Sequence, residues 1–345
     1  MDSLIDRLPE QAAELASDTA ALPSSQELPK AAIRCVGVVG LGRMGEAFAE
    51  TLLSAGYRVV AYDRDKRRAQ PLQIKGARAA VRLADLAACD LVISALPDDV
   101  ALESVALGPD GLIAILPPGV LHVSAGTISP ELSRRLAGAH AVHGQEFVAA
   151  PVLGNPDLAH EQLLFVLAGG APQAVARARP VLERLGQRVF VIGDDPGQAS
   201  LVKLACNVLT AATLETMGEV FALLRKACID PHLAFDAFTG SLFDGRVHKT
   251  YGGKIVDGRY DPPGMTAPLA VKDLRLALAE AEKLAVPMSV ASLVHDRLVA
   301  CVARGWGGLD WSALGLLAAA DTGLGDAGLG DTGLGDAGPA SQRKL

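Results

Sequence analysis

The stretch VGVVGLGRMGEAFAETLLSAGYRVVAYDRD, Val36 to Asp65, leaves a chain few ways to fold. An apolar run meets Gly40, Gly42 and Gly45, with Leu41, Arg43 and Met44 between them, and a helical pattern follows at once. In a GxGxxG turn of this kind the first glycine permits the tight turn and the second lets backbone approach a pyrophosphate. The third lets helix and strand pack closely. The free N–H groups and positive dipole end of the helix then face the phosphates. A second apolar run ends on Asp63, at the spacing where an acid meets the adenosine ribose. Together these predict a dinucleotide-binding strand–helix–strand unit. Asp63 favours NAD(H), whereas Arg64, Lys66 and Arg67 would welcome the 2′-phosphate of NADP(H). The choice stays open.

Further β-branched runs alternate with helical patterns up to about Gly193: DLVISAL, VLHVSA and LLFVLAGG among them. That alternation predicts a doubly wound α/β Rossmann domain with a parallel sheet over residues 33–194. From 195 to 320 only helical periodicity appears, which predicts an all-α domain. Residues 1–32 read as a leader of uncertain order. Residues 321–345 repeat a five-residue, glycine-rich unit and read as a flexible tail.

Composition narrows the partners. The 345 residues carry a formal net charge of −7 and no basic stripe, which argues against a nucleic-acid surface. The short cluster Lys66-Arg67-Arg68 reads as a solvated helix face. No apolar run is long enough for a membrane span, and no signal pattern opens the chain. Five scattered cysteines without a CxxC pair predict reduced, packed thiols in the cytoplasm, with no metal and no disulfide framework. The histidines form no constellation, and His122 reads as a packed side chain.

Within GQASLVKLACN, Gly197 to Asn207, one ammonium sits among Leu201, Val202, Leu204, Ala205, Val208 and Leu209. The helix is apolar nearly all round, which predicts that it is buried. Lys203 and Asn207 are four apart and share a face. A desolvated lysine titrates nearer neutrality and suits proton transfer.

These blocks resemble the β-hydroxyacid dehydrogenases, a family that includes 3-hydroxyisobutyrate dehydrogenase and glyoxylate/succinic semialdehyde reductases. The resemblance spans roughly Cys35 to Leu314. GLGRMG matches the family's glycine loop, and ALPDD, Ala95 to Asp99, its loop after the fourth strand. SAGTISP, Ser124 to Pro130, and FVAAPVLGN, Phe147 to Asn155, stand at its two substrate loops. Gly197, Lys203 and Asn207 fit GxxxxxKxxxN, and VKDLRLAL fits its KDL block. The resemblance implies a Rossmann domain joined through a long helix to a helical one, and homodimers or homotetramers. It implies Lys203 as general acid/base, with Asn207 beside it. It also implies Leu96, Pro97, Thr127 and Lys272 at the cofactor, with Asp273 fixing the helix of Lys272. Ser124, Gly126, Thr127, Gly154 and Asn155 fall at the substrate. From the bare sequence, Lys272-Asp273 reads equally well as a solvated surface pair.

Two departures matter. The family's DxST becomes Ser124, Ala125, Gly126, Thr127, so a carboxylate-binding serine is lost. Its DAPVSGG becomes Ala149 to Asn155, with Leu-Gly-Asn for Ser-Gly-Gly. Backbone N–H groups, Thr127 and Asn155 remain as donors. A small hydroxy acid and a larger or less polar carbonyl compound fit equally well. An imine reductase-like enzyme is the alternative, since Gly126-Thr127 resembles the loop of those enzymes, although they usually replace the lysine. A non-catalytic NADP-binding interaction protein is the other, and retention of Lys203 argues against it.

Overall fold

The computed structural model describes residues 32–324. The expectations for the leader and most of the glycine repeat therefore lie outside the described residues.

Strands β1 (Cys35–Val39), β2 (Arg58–Tyr62), β3 (Arg78–Ala79), β4 (Leu91–Ser94), β5 (Leu121–Ser124) and β6 (Glu146–Ala149) run parallel in the order β3-β2-β1-β4-β5-β6. They continue through β7 (Val152–Leu153), β8 (Leu164–Gly169) and β9 (Gly186–Gly193). Their side chains alternate between two covered faces. Val36, Val38, Leu91, Ile93, Leu121 and Val123 enter one core, while Cys35, Val39 and Val92 enter another. Burial on both faces is why these strands read as unbroken apolar runs.

Helices α1 (Arg43–Ser54), α2 (Gln70–Ile74), α3 (Asp99–Leu107), α4 (Leu112–Ile115), α5 (Pro130–Val142), α6 (Pro156–His160) and α7 (Pro172–Leu185) complete the α/β part. Phe48 and Leu52 of α1, 1% and 0% exposed, anchor it to the sheet. Burial of such side chains stabilises by about 1.5–3 kcal/mol each. The strand LLFVLAGG departs from the parallel pattern: β8 pairs antiparallel with β6 and β7, and β9 lies parallel to β8.

Helix α8 (Pro196–Lys226) leads into α9 (Pro231–Thr239), α10 (Arg246–Asp257), α11 (Ala267–Lys283), α12 (Ser289–Ala303) and α13 (Leu314–Asp321). Its start is fixed by Asp195, whose carboxylate accepts from Gly197 N at 2.9 Å, and by Pro196 at the first position. Arg225 and Lys226 favour its end by opposing the dipole. The expectation that this helix is buried all round is wrong. Ala205, Leu209, Thr216 and Leu223 form an exposed stripe, with Leu209 70% exposed, because the neighbouring helices cover only one side. The sequence boundary at 320 also shifts. Asp321 closes α13 and pairs at the surface with Arg297 and, at 3.1 Å, with Arg304, so it belongs to the helical part.

Candidate active site

The glycine loop has the shape its residues demand. Gly40 has φ +86°, and a Cβ there would stand 2.6 Å from the Ala95 carbonyl oxygen. A Cβ on Gly45 would overlap the Gly40 carbonyl. Gly42 caps α1 with no side chain, so the first N–H groups of the helix stay open. Met44 packs on the sheet core and Leu41 is buried. This is a cradle for a pyrophosphate, and the residues present fit a dinucleotide.

Beside the loop, Asp63 does more than end a strand. Its Oδ2 accepts from Leu41 N at 2.7 Å and its Oδ1 from Asp65 N at 2.8 Å, which sets the loop's curvature. Arg64 is exposed, but Arg67 folds back onto Asp65 through Nε and Nη2, each at 2.9 Å. Arg68, rather than Arg67, is the cation beside Asp63. Its Nη1 lies 4.0 Å from Asp63 and beside Gly42. The clue lay in the Lys66-Arg67-Arg68 cluster, which looked like a solvated face. Arg43 bonds the Pro263 carbonyl and faces Asp157 at 3.7 Å, linking the glycine loop to the helical half.

Lys203 heads a continuous chain of contacts. Its Nζ donates to Asn207 Oδ1 at 3.1 Å, and Asn207 Nδ2 donates to Asp273 Oδ2 at 2.5 Å. Asp273 Oδ1 meets Lys272 Nζ at 2.7 Å. Lys272 then donates to the carbonyls of Pro97, at 2.8 Å, and Thr127, at 2.6 Å. Burial lowers the Lys203 pKa, and the charge of Asp273 opposes that shift. Lys272 thus spends two hydrogen bonds on the carbonyls and its charge on Asp273. Its solvated-pair reading fails, because its side chain is 13% exposed and that of Asp273 3%.

The substrate loops divide. Gly126 is forced to be glycine, since a Cβ would press into the Leu96 carbonyl oxygen. The serine expected there cannot be accommodated without moving the loop after β4. Gly154 has φ +136°, and the side chain of Asn155 caps α6 by accepting from Leu158 N at 3.0 Å. That leaves the Asn155 Nδ2 as its donor. Ser124 is the misplaced candidate: it is 1% exposed in β5 and its hydroxyl has no partner. It is no wall of the cleft, because its register partner Ser94 points to the same packed face. On that face Ser94 bonds His122 Nε2 at 2.9 Å, His122 Nδ1 bonds His140 Nε2 at 2.8 Å, and His140 Nδ1 bonds Gln145 at 2.7 Å.

Residues 35–193 match the NAD binding domain of 6-phosphogluconate dehydrogenase. Residues 197–317 match the NAD-binding domain of NADP-dependent 3-hydroxyisobutyrate dehydrogenase. The 3-hydroxyisobutyrate dehydrogenase of Pseudomonas aeruginosa is 32% identical, over 81% of this chain and 96% of that protein. The chain belongs to the β-hydroxyacid dehydrogenase family. Like its relatives it is an NAD(P)-dependent oxidoreductase acting on hydroxyl groups. An uncharacterised oxidoreductase of Bacillus subtilis, YfjR, is 37% identical over 81% of this chain and 98% of its own. Among solved structures, 3-hydroxyisobutyrate dehydrogenase from Salmonella typhimurium superposes with TM-score 0.76 at 28% identity, covering 82% of this chain and 99% of that one. An imine reductase from Myxococcus stipitatus shares the fold alone, with TM-score 0.57 at 22% identity. In this β-hydroxyacid dehydrogenase, among the described residues, no three His, Cys, Asp or Glu groups could hold a metal. No described helix is long and apolar enough to cross a membrane.

Proposed function

We propose that this dehydrogenase interconverts a small hydroxy acid and its carbonyl form, with Lys203 as general acid/base. The observation that carries this reading is the orientation of Lys203. Asn207 accepts one hydrogen bond from it and is itself turned by Asp273. Among the described residues no other acceptor engages the ammonium, which leaves two N–H bonds for a substrate oxygen. Bound NAD(P)H supplies the hydride. Lys203 donates its proton to the oxygen as negative charge develops there, and in the reverse direction the neutral amine takes the alcohol proton. Burial lowers the pKa of Lys203, which eases the release of that proton.

The loop of Gly40, Leu41, Gly42, Arg43, Met44 and Gly45 would hold the pyrophosphate, and Asp63 and Arg64 the adenosine ribose. Leu96, Pro97 and Thr127 would border the nicotinamide, with Lys272 fixing the last two. Gly126, Gly154 and Asn155 would bound the substrate. The names of relatives that act on 3-hydroxyisobutyrate, L-threonate and L-serine support a hydroxy acid.

We also propose a cytoplasmic homo-oligomer. Five free cysteines suit a reducing compartment. On the α8 stripe Thr213 and Thr216 bond their hydroxyls to the helix's own carbonyls and offer methyl groups beside Leu209 and Leu223, as a buried interface would need. Light scattering after gel filtration tests the oligomer. A panel of hydroxy acids and aldehydes, assayed with both cofactors, tests the reaction, and absence of turnover across it would sink the assignment.

A further inference from the structure

The first substrate loop excludes a hydroxyl at Gly126, so a substrate carboxylate needs another partner. Most cations around the cleft are engaged. Lys272 holds Pro97, Thr127 and Asp273, and Lys254 lies 2.8 Å from the buried Asp310. Arg134 bonds Asp195 at 2.8 Å and approaches Glu280 at 3.8 Å.

Arg246 differs. It is the first residue of α10 and is exposed, and among the described residues it has no ion pair or hydrogen bond. Its guanidinium lies 5.8 Å from the centroid of the Phe165 ring. Phe165 is the register partner of Leu153, which leads directly into Gly154 and Asn155 of the second substrate loop. Leu153 also packs in the same cluster as Val202, the residue before Lys203. Arg246 therefore reaches from the helical half to the edge of that loop. The nearby Asp244 is no competitor, because it is bonded to Lys249. An aromatic face holds a guanidinium by its plane and leaves the N–H fork free. That fork matches a carboxylate bidentately.

We propose that Arg246 binds the carboxylate of the substrate, in place of the hydroxyl the first loop has lost. This rests on the dehydrogenase reading above and makes the substrate class a small monocarboxylate. Specificity is thereby set from α10 rather than from the loop after β5.

The test compares 3-hydroxyisobutyrate, glycerate and L-serine with their methyl esters, and also measures binding of the three acids to the enzyme–NADP⁺ complex by calorimetry. Arg246→Gln should lower kcat/KM for the preferred acid by roughly 10- to 100-fold, mainly through KM, the usual worth of a charge-assisted hydrogen bond. The ester should change less than about twofold on the same grounds, so the acid-to-ester ratio collapses. Arg246→Lys should restore part of it. Arg188→Gln is the control, since Arg188 neighbours Phe165 in β9 but folds over Phe190 at 4.5 Å. An unchanged ratio in Arg246→Gln, or the same loss in Arg188→Gln, overturns the proposal. Calorimetry decides without turnover: equal affinity of parent and Arg246→Gln, or no acid bound by the parent, also overturns it. Failure of the Lys203 mechanism is separable, because turnover that survives Lys203→Met would leave the acid-to-ester ratio intact.

Discussion

Asn207 donates its side-chain amide to Asp273 at 2.5 Å, and this contact decides which end of the amide faces Lys203. Only with Nδ2 on the carboxylate does Oδ1 face the ammonium. The pair connects an acid on α11 to a base on α8.

Removing the ammonium gives the first prediction. Lys203→Met keeps aliphatic volume and deletes charge, so the protein should fold at least as well as the parent. Turnover should fall by roughly 10²- to 10⁴-fold, the usual worth of positioned acid–base catalysis. Cofactor fluorescence titration should give parental affinity. Near-parental turnover in the folded variant would end the mechanism.

Asp273 acts on the pH profile. Its charge raises the Lys203 pKa against burial, so Asp273→Asn should lower it. Carbonyl reduction needs the ammonium, and its alkaline limb should move to lower pH. A rate loss with an unmoved limb would assign Asp273 a purely structural part.

Cofactor choice should respond to three substitutions. Asp63→Asn should favour NADP(H), and Arg64→Ala and Arg68→Ala should each favour NAD(H), by about 1–2 kcal/mol. Asp63→Asn should also weaken both cofactors, because Asp63 holds the backbone of Leu41 and Asp65. Dissociation constants for both cofactors, measured on each variant, check this. If Arg68→Ala leaves the ratio unchanged, the guanidinium beside Gly42 is not part of the adenosine pocket.

Asp310 is 0% exposed and accepts from Lys254, Gly264 N, Ser312 N and the Ser312 hydroxyl. Asp310→Ala leaves Lys254 and three other donors without their acceptor, and should cost about 3–5 kcal/mol. Urea unfolding of the two proteins measures the loss. A change under about 1 kcal/mol would mean that water replaces the carboxylate.

The buried histidines predict acid sensitivity. Burial pushes His140 down to about 4 and His122 well below its usual value. Unfolded histidines take up protons near pH 6.5, whereas His140 does so only near 4. Stability is therefore full above pH 6.5 and lost as pH falls from there towards 4, by about 2 kcal/mol for His140 between pH 7 and 5. His140→Leu should show a shallower loss over that range, whatever its absolute stability. Parallel curves for parent and variant would assign the acid sensitivity to other groups.

What could be read in advance follows from how local each cause is. Gly40 and Gly45 announce their backbone geometry, and Lys203 and Asn207 share a face by spacing alone. The engagement of Lys272 could not be read, because its partners are carbonyls 175 and 145 residues away and carry no side-chain signature. Arg67 and Arg68 look alike in sequence, and only the capping position of Asp65 separates them. The antiparallel course of β8 was hidden too, since apolar alternation does not encode a neighbour's direction.

Lys272 grips the loops after β4 and β5 from a helix of the other half of the molecule. Swinging the two halves apart would tear both carbonyls from it, whereas Lys203, Asn207 and Asp273 lie together on α8 and α11 and would travel as one. Closure therefore brings the loops after β4 and β5 up to a proton-transfer group that is already assembled.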